Sequence, residues 1–211
     1  MELNSLINTI KKTYAFISIS PKTYMFCKVP YEYIEILRQL NANITNQIHS
    51  SHINILNHSN IKGFDGFIAE TSLEKMMIYT ADCLPVIGIG KENDFVIHAG
   101  WQGLHKGILN NLTEQLKNTG KYDIYIGPHI SKAHFQVKND FIKQWANVSQ
   151  FDNYYSHGRF DLAGYAVSQL NPIANDIVIS DYCTYENKHM ASFRRDKNKK
   201  YTNLIIHNLT H

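Results

Sequence analysis

The side chains with which this sequence could do chemistry are His49, Cys83 and His98, each set beside a turn. The run Thr80-Ala-Asp-Cys-Leu-Pro-Val86 places a polar Asp82-Cys83 pair where one strand ends and the next begins. A cysteine there can be a nucleophile or a metal ligand, because both roles need thiolate character and access. Taken alone, a single Cys is more often a small buried hydrophobe. In Phe95-Val-Ile-His-Ala-Gly-Trp-Gln-Gly103, His98 caps an apolar strand, and the glycines permit a tight turn and close approach of a ligand. The competing reading is a hydrogen-bonded core histidine. In Asn46-Gln-Ile-His49, His49 by itself reads as an ordinary loop residue. Together the three change the picture, since two His and one Cys form a ligand set that leaves zinc an open fourth position. They lie 34 and 15 residues apart, which is not the spacing of a local zinc finger, so the fold must bring the strand ends together.

The elements that must do so read as a mixture. Residues 14–20 and 23–29 read as strands around Pro21, and Pro30 fits the first position of a helix carrying Tyr33, Ile34, Ile36, Leu37 and Leu40. Further strands are expected at 52–56, 76–79, 84–89, 94–98, 123–126, 134–137, 177–180, 190–193 and 203–207. The clearest helix is 103–118, with a stripe of Leu104, Ile108, Leu109, Leu112 and Leu116 before Gly120. Residues 140–148 and 162–170 read as helices. Strands outnumber helices and short turns join many of them, which favours an α+β domain over a βαβ repeat.

Composition narrows the function classes. A chain of 211 residues with 44% hydrophobic residues fits one domain, 1–211, with a real core. A net charge of +3 makes no electrostatic case for nucleic acid or a membrane surface. No window reaches the roughly 18 apolar residues of a bilayer span, and Glu2 and the lack of an apolar run argue against a secretory signal. Cys27, Cys83 and Cys183 are odd in number and far apart, which excludes a disulfide framework and favours a reducing, cytoplasmic setting. The surplus is in histidine, with 11 residues.

The runs Thr80-Ala-Asp-Cys-Leu-Pro-Val86, His98-Ala-Gly-Trp-Gln-Gly103 and Ile126-Gly-Pro-His-Ile130 resemble motifs of the laccase-domain or polyphenol oxidase proteins. These are also called purine nucleoside phosphorylases or peptidoglycan-editing factors. The resemblance extends to Gln47 with His49, to Asp65-Gly-Phe-Ile-Ala-Glu-Thr71, Phe160-Asp-Leu162, Cys183-Thr184 and Ser192-Phe-Arg-Arg-Asp196, and so covers the chain from about Gln47 onward. It implies a layered α-β-β-α arrangement, with mixed sheets flanked by helices, and a zinc bound by His49, Cys83 and His98. It also implies phosphorolysis of adenosine, inosine and methylthioadenosine, with adenosine deamination. Its partners would be a purine nucleoside and phosphate, with no nucleic acid or membrane, in a monomer or homodimer. Such chemistry assigns Asp82 a proton-carrying or orienting role beside Cys83, Trp101 and Gln47 to the substrate, and the Arg194–Arg195 pair to phosphate. Trp101 can equally be core, and the arginines can equally be one exposed and one ion-paired. His129 is near the site in the family, yet reads better as a loop residue. His52, His58, His105, His134, His157, His189, His207 and His211 are expected to be surface or packed.

The sequence departs from the family where basic groups are usual. An N-terminal Arg-x-Gly-Gly-x-Ser segment is reduced to Phe16-Ile-Ser-Ile-Ser-Pro21, Gln102 stands for an Arg, Gln136 for a Glu, and Lys199-Lys200-Tyr201 for a Gly-Arg pair. Each lost guanidinium contact removes roughly 1.5–3 kcal/mol. Three other readings follow: a Cys83–His98 hydrolase or amidase in cell-wall precursor editing, a metal-binding protein with eroded catalysis, and a phenol oxidase. The oxidase ranks last, since no His-x-His pair is present and one two-His, one-Cys site cannot make a trinuclear copper cluster. Zinc is accordingly expected ahead of copper.

Overall fold

In a computed structural model, which describes residues 2–56, 62–70 and 74–209, the chain folds into four layers. The elements run α1 (Leu3–Thr13), β1 (Phe16–Ser20), β2 (Thr23–Pro30), α2 (Glu32–Gln39), β3 (Asn54–Ile55), β4 (Gly66–Glu70), β5 (Met76–Thr80), β6 (Leu84–Ile89) and β7 (Asn93–Ala99). There follow α3 (Trp101–His105), α4 (Ile108–Leu116), β8 (Tyr122–Ile126), α5 (Asn139–Trp145), α6 (Phe151–Tyr154), β9 (Tyr155–Ser156), β10 (Arg159–Phe160), α7 (Leu162–Leu170), β11 (Ala174–Ile179), α8 (Phe193–Asp196) and β12 (Tyr201–His207). An antiparallel sheet has the order β1-β2-β12-β5, and a mixed sheet the order β11-β8-β6-β7-β4-β3.

Strand alternation builds the layers. In the smaller sheet, Met25, Ile78 and Ile205 face a core shared with Phe67, Ile87 and Val96 of the larger sheet. Their neighbours Tyr24, Phe26, Met77, Leu204 and Ile206 point the other way, onto α1 and α2. In the larger sheet, Val86, Phe95 and Ile97 alternate onto the helical layer of Leu104, Leu109, Leu112, Phe141 and Leu170. Three cores between four layers give the expected α-β-β-α arrangement, with the correction that only the larger sheet is mixed. Asp94 of β7 also ties the sheets together, bonded to His207 of β12 and to Lys22 of the β1–β2 turn. Among the described residues, no helix is long and apolar enough to cross a membrane.

Several boundaries move for physical reasons. Pro30 ends β2 instead of opening the helix, which starts at Glu32. The expected 103–118 helix is two helices, broken at Gly107, whose φ of +82° no α-helix accommodates. Residues 134–137 form no strand; Gln136 makes a single bridge to Arg159. Residues 190–193 run into the one-turn α8. The strand expected at 52–56 shrinks to Asn54–Ile55. The helix α1, strand β4 and the small β9–β10 ribbon were not anticipated. His58 and His211 lie outside the described residues, as does Thr71.

Candidate metal centre

Strands β6 and β7 are antiparallel neighbours, with Pro85 opposite His98 and Leu84 opposite Ala99. This register brings the residue before β6, Cys83, to the side of His98. His49 arrives from the loop between α2 and β3 with a left-handed backbone, φ 55°. One donor atom from each of the three lies within 4.8 Å of the other two, with Cys83 Sγ 3.9 Å from His49 Nε2. The two imidazoles meet edge to face at 4.9 Å between centroids.

Asp65, a fully buried carboxylate just before β4, organises this trio. It accepts the backbone N–H groups of Ile48, His49 and Ser50, the Ser50 hydroxyl at 2.7 Å, and the Nδ1–H of His98 at 2.8 Å. That last bond leaves His98 Nε2 for the cluster. Burial alone would raise the Asp65 carboxyl, but the His98 and Ser50 donors overcome it and hold it at about 2. Burial likewise disfavours the Cys83 thiolate, yet His98 and His49 outweigh it and lower the thiol. Burial also disfavours the His98 imidazolium, which Cys83 and Asp65 restore, so its pKa is raised. Asp65 occurs in a family-like run, but its role was not legible locally.

The trio fits a tetrahedral transition metal. The thiolate and two neutral imidazoles are zinc-type donors, and a 3.9 Å sulfur–nitrogen gap needs to close only slightly to reach roughly 3.5 Å, the separation set by usual bond lengths. The space is guarded by backbone: a Cβ on Gly100 would sit 2.9 Å from both Cys83 Sγ and His49 Cδ2.

The trio opens into a cavity of about 530 Å³, also lined by Asp82, Trp101, Phe193, Arg194, Lys197 and Lys199, and by Gln47 and Tyr79. Asp82 has a φ of +98°. Its carboxylate reaches two distant segments, taking the Thr184 hydroxyl at 2.7 Å and the Arg194 N–H at 2.6 Å. It is therefore not a turn residue bonded to its own backbone. Gln47 uses its amide on the main chain of Tyr79, accepting from N–H and donating to the carbonyl. Trp101 opens α3, packed 5.3 Å from the Phe141 ring while lining the cavity. Arg194 lies over Phe135 and donates to the Gln136 carbonyl at 2.8 Å.

Arg195 corrects the expected arginine pair. It is absent from the cavity wall. Its guanidinium donates to the carbonyls of Thr184, Tyr185, Asn187 and Met190 and pairs with Asp196. It clamps a loop. Lys197 and Lys199, in contrast, supply cations where the sequence suggested only losses. His129 is buried outside the cavity, bonded to the Gly127 carbonyl, and burial lowers its pKa.

Known proteins agree with this architecture. The aligned part of a purine nucleoside phosphorylase of Aquifex aeolicus is 32% identical over 149 residues, covering 67% of this chain and 70% of that protein. A purine nucleoside phosphorylase of Clostridium acetobutylicum is 28% identical over 157 residues, 67% of this chain and 66% of its own. The chain thus spans about two thirds of the length of these relatives. The crystal structure of Neisseria meningitidis protein NMB0706 superposes with a TM-score of 0.71 at 18% identity, covering 93% of this chain and 99% of that one. That likeness concerns the fold. The family described as multi-copper polyphenol oxidoreductase laccase matches residues 32–205, and the chain belongs to it.

Proposed function

We propose that this chain is a zinc-dependent purine nucleoside phosphorylase acting on adenosine, inosine and methylthioadenosine, with adenosine deamination as a second activity. It would act as one domain over 1–211, in the cytoplasm, as a monomer or homodimer. The observation that carries the reading is the convergence of His49, Cys83 and His98 in the wall of a cavity that also holds Arg194, Lys197 and Lys199. Relatives bearing the name purine nucleoside phosphorylase support the reaction class. The volume suits a nucleoside, within the roughly 300–1,000 Å³ of small-molecule sites.

His49, Cys83 and His98 would hold the metal, which when bound supplies a Lewis acid with an open position. The remaining work belongs to the chain. Phosphorolysis breaks the C1′–N9 bond and forms a C1′–O bond to phosphate, and the purine leaves with the electron pair and takes a proton. Catalysis of this kind is mostly orientation and charge placement. Arg194, with Lys197 and Lys199, places phosphate, and Trp101 and Phe193 offer apolar faces to the base. Asp82 fixes the start of α8, which carries Arg194, and lies at the cavity wall as the proton-handling group. Gln47 positions Tyr79. Asp65 fixes His98.

The test is release of free purine from each nucleoside by the purified full-length protein, with and without phosphate, alongside metal analysis. Base release that requires phosphate, persists with zinc and is lost in His49→Ala is the expected result. Full turnover after complete chelation overturns the metal dependence. Metal-free activity abolished by alkylation of Cys83 establishes the Cys–His hydrolase reading instead. Turnover only with copper, and on phenols, establishes the oxidase. Bound metal with no turnover of any nucleoside marks eroded catalysis.

A further inference from the structure

Among the described residues a second donor cluster lies away from the cavity. His134, Cys183 and Glu186 each offer one atom, and these atoms all lie within 4.8 Å of one another. None of the three lines the cavity. His134 Nδ1 is 3.3 Å from Glu186 Oε1 and 4.0 Å from Cys183 Sγ. Two ligands of one tetrahedral ion stand roughly 3.3–3.7 Å apart at usual bond lengths. The first distance already fits, and the second requires only a small closure.

Two pinned turns deliver these donors. In one, the N–H groups of His134 and Phe135 both donate to the Ser131 carbonyl at 3.0 Å. In the other, Asn187 N–H donates to the Cys183 carbonyl at 3.0 Å, which sets Cys183 and Glu186 on one side of the turn. The bridge between His129 and Cys183 joins the two. The backbone N–H of Ser131 points at Cys183 Sγ at 3.3 Å. Tyr185 stacks on the His134 ring at 4.6 Å and fixes its plane. Main-chain bonds fix both turns, while His134 Nδ1 faces the Ser131 hydroxyl as well as Glu186 Oε1, each at 3.3 Å, so the donors already converge on one point. Cys183 is buried and Glu186 exposed, so an ion enters from the solvent side.

We propose that His134, Cys183 and Glu186 form a second metal site, separate from the cavity, that takes a divalent transition ion of the zinc class. Thiolate and imidazole exclude magnesium and calcium, which prefer all-oxygen shells. Binding releases the Cys183 thiol proton to solvent. The ion would staple the 131–135 turn to the 183–187 turn, whose Thr184, Tyr185 and Asn187 carbonyls are the acceptors of Arg195.

The experiment uses the full-length chain carrying Cys83→Ser, which removes the cavity thiolate. The protein is stripped of metal and titrated with Co²⁺. Expected is a saturable thiolate-to-cobalt absorption band, weakened at least tenfold in affinity by the further exposed-site change Glu186→Gln and likewise by His134→Gln. In the same background, Zn²⁺ should slow alkylation of Cys183, followed by peptide mapping, at least tenfold. Absence of the band, or an affinity indifferent to both substitutions, overturns the site. So does alkylation at the same rate with and without Zn²⁺, which would leave Cys183 as an ordinary thiol. None of these readouts involves nucleoside turnover, so the proposed activity can fail without affecting them.

Discussion

Asp65 accepts the Nδ1–H of His98 at 2.8 Å and so turns the opposite ring nitrogen toward Cys83. Carboxylates behind metal-binding imidazoles set tautomer and basicity, and their loss typically lowers metal affinity 10–100-fold. Asp65→Asn should weaken zinc binding by about that factor. Competition with a chromophoric chelator measures it, and an unchanged affinity would remove Asp65 from the metal centre.

Gly100 tests the same space from the other side. Its backbone, φ −77° and ψ 163°, suits any residue, so Gly100→Ala carries no conformational penalty of its own. The added methyl would stand 2.9 Å from Cys83 Sγ and His49 Cδ2. The expected variant is folded by circular dichroism, with metal affinity and turnover both reduced by at least about tenfold, or about 1.4 kcal/mol. Normal metal binding would show that the trio has room to move.

The adjacent arginines should separate cleanly. Arg194→Ala should raise KM for phosphate by roughly 10–150-fold, the worth of one charge-assisted hydrogen bond, with little effect on stability. Arg195→Ala leaves four carbonyls without their donor and should cost on the order of 3 kcal/mol in urea unfolding. If Arg195→Ala instead raised the phosphate KM at unchanged stability, the clamp assignment would be wrong.

Acid stability depends on Asp94. Its burial would raise the carboxyl, but bonds from His207 and Lys22 prevail and lower it. A folded-state pKa below the unfolded value of about 3.9 stabilises the fold above that pH, and the contribution fades as pH falls through the folded value. Asp94→Asn should lose about 3–5 kcal/mol at neutral pH, because it strands a buried partner. Its stability should also decline less than that of the wild type below about pH 4. Parallel pH profiles of urea midpoints would place the acid sensitivity elsewhere.

The sequence pointed to His49, Cys83 and His98 as a candidate trio because each sits in a run of recognisable turn and strand residues, and their donor atoms do converge. It hid Asp65, whose partners lie 33 and 15 positions away and become partners only through folding. Arg194 and Arg195 looked equivalent as neighbours, yet one turn of α8 sends them to opposite tasks. Reading Lys199 as a missing arginine overlooked that a cation still stands at the rim. The alternation in Phe135-Gln-Val137 suggested a strand, but only Gln136 finds a bridging partner. The helix α1 escaped the reading although Leu3, Leu6, Ile7 and Ile10 follow helical spacing, and Leu6, Ile7 and Ile10 are buried.

The place of β12 between β2 and β5 bears on how the protein is made. Translation delivers the first two strands of the smaller sheet and then its edge strand, but their common neighbour comes only with residues 201–207. Domains begin to fold while the ribosome still adds about 5–20 residues per second. The larger sheet can be complete once β11 has emerged, whereas β5 must wait for β12, the strand that joins it to β2. Tyr201 and Thr202, which help wall the cavity, arrive in that same last strand. A nascent chain therefore carries His49, Cys83 and His98 before it has a closed cavity, and the two parts of the candidate site are synthesised at different moments.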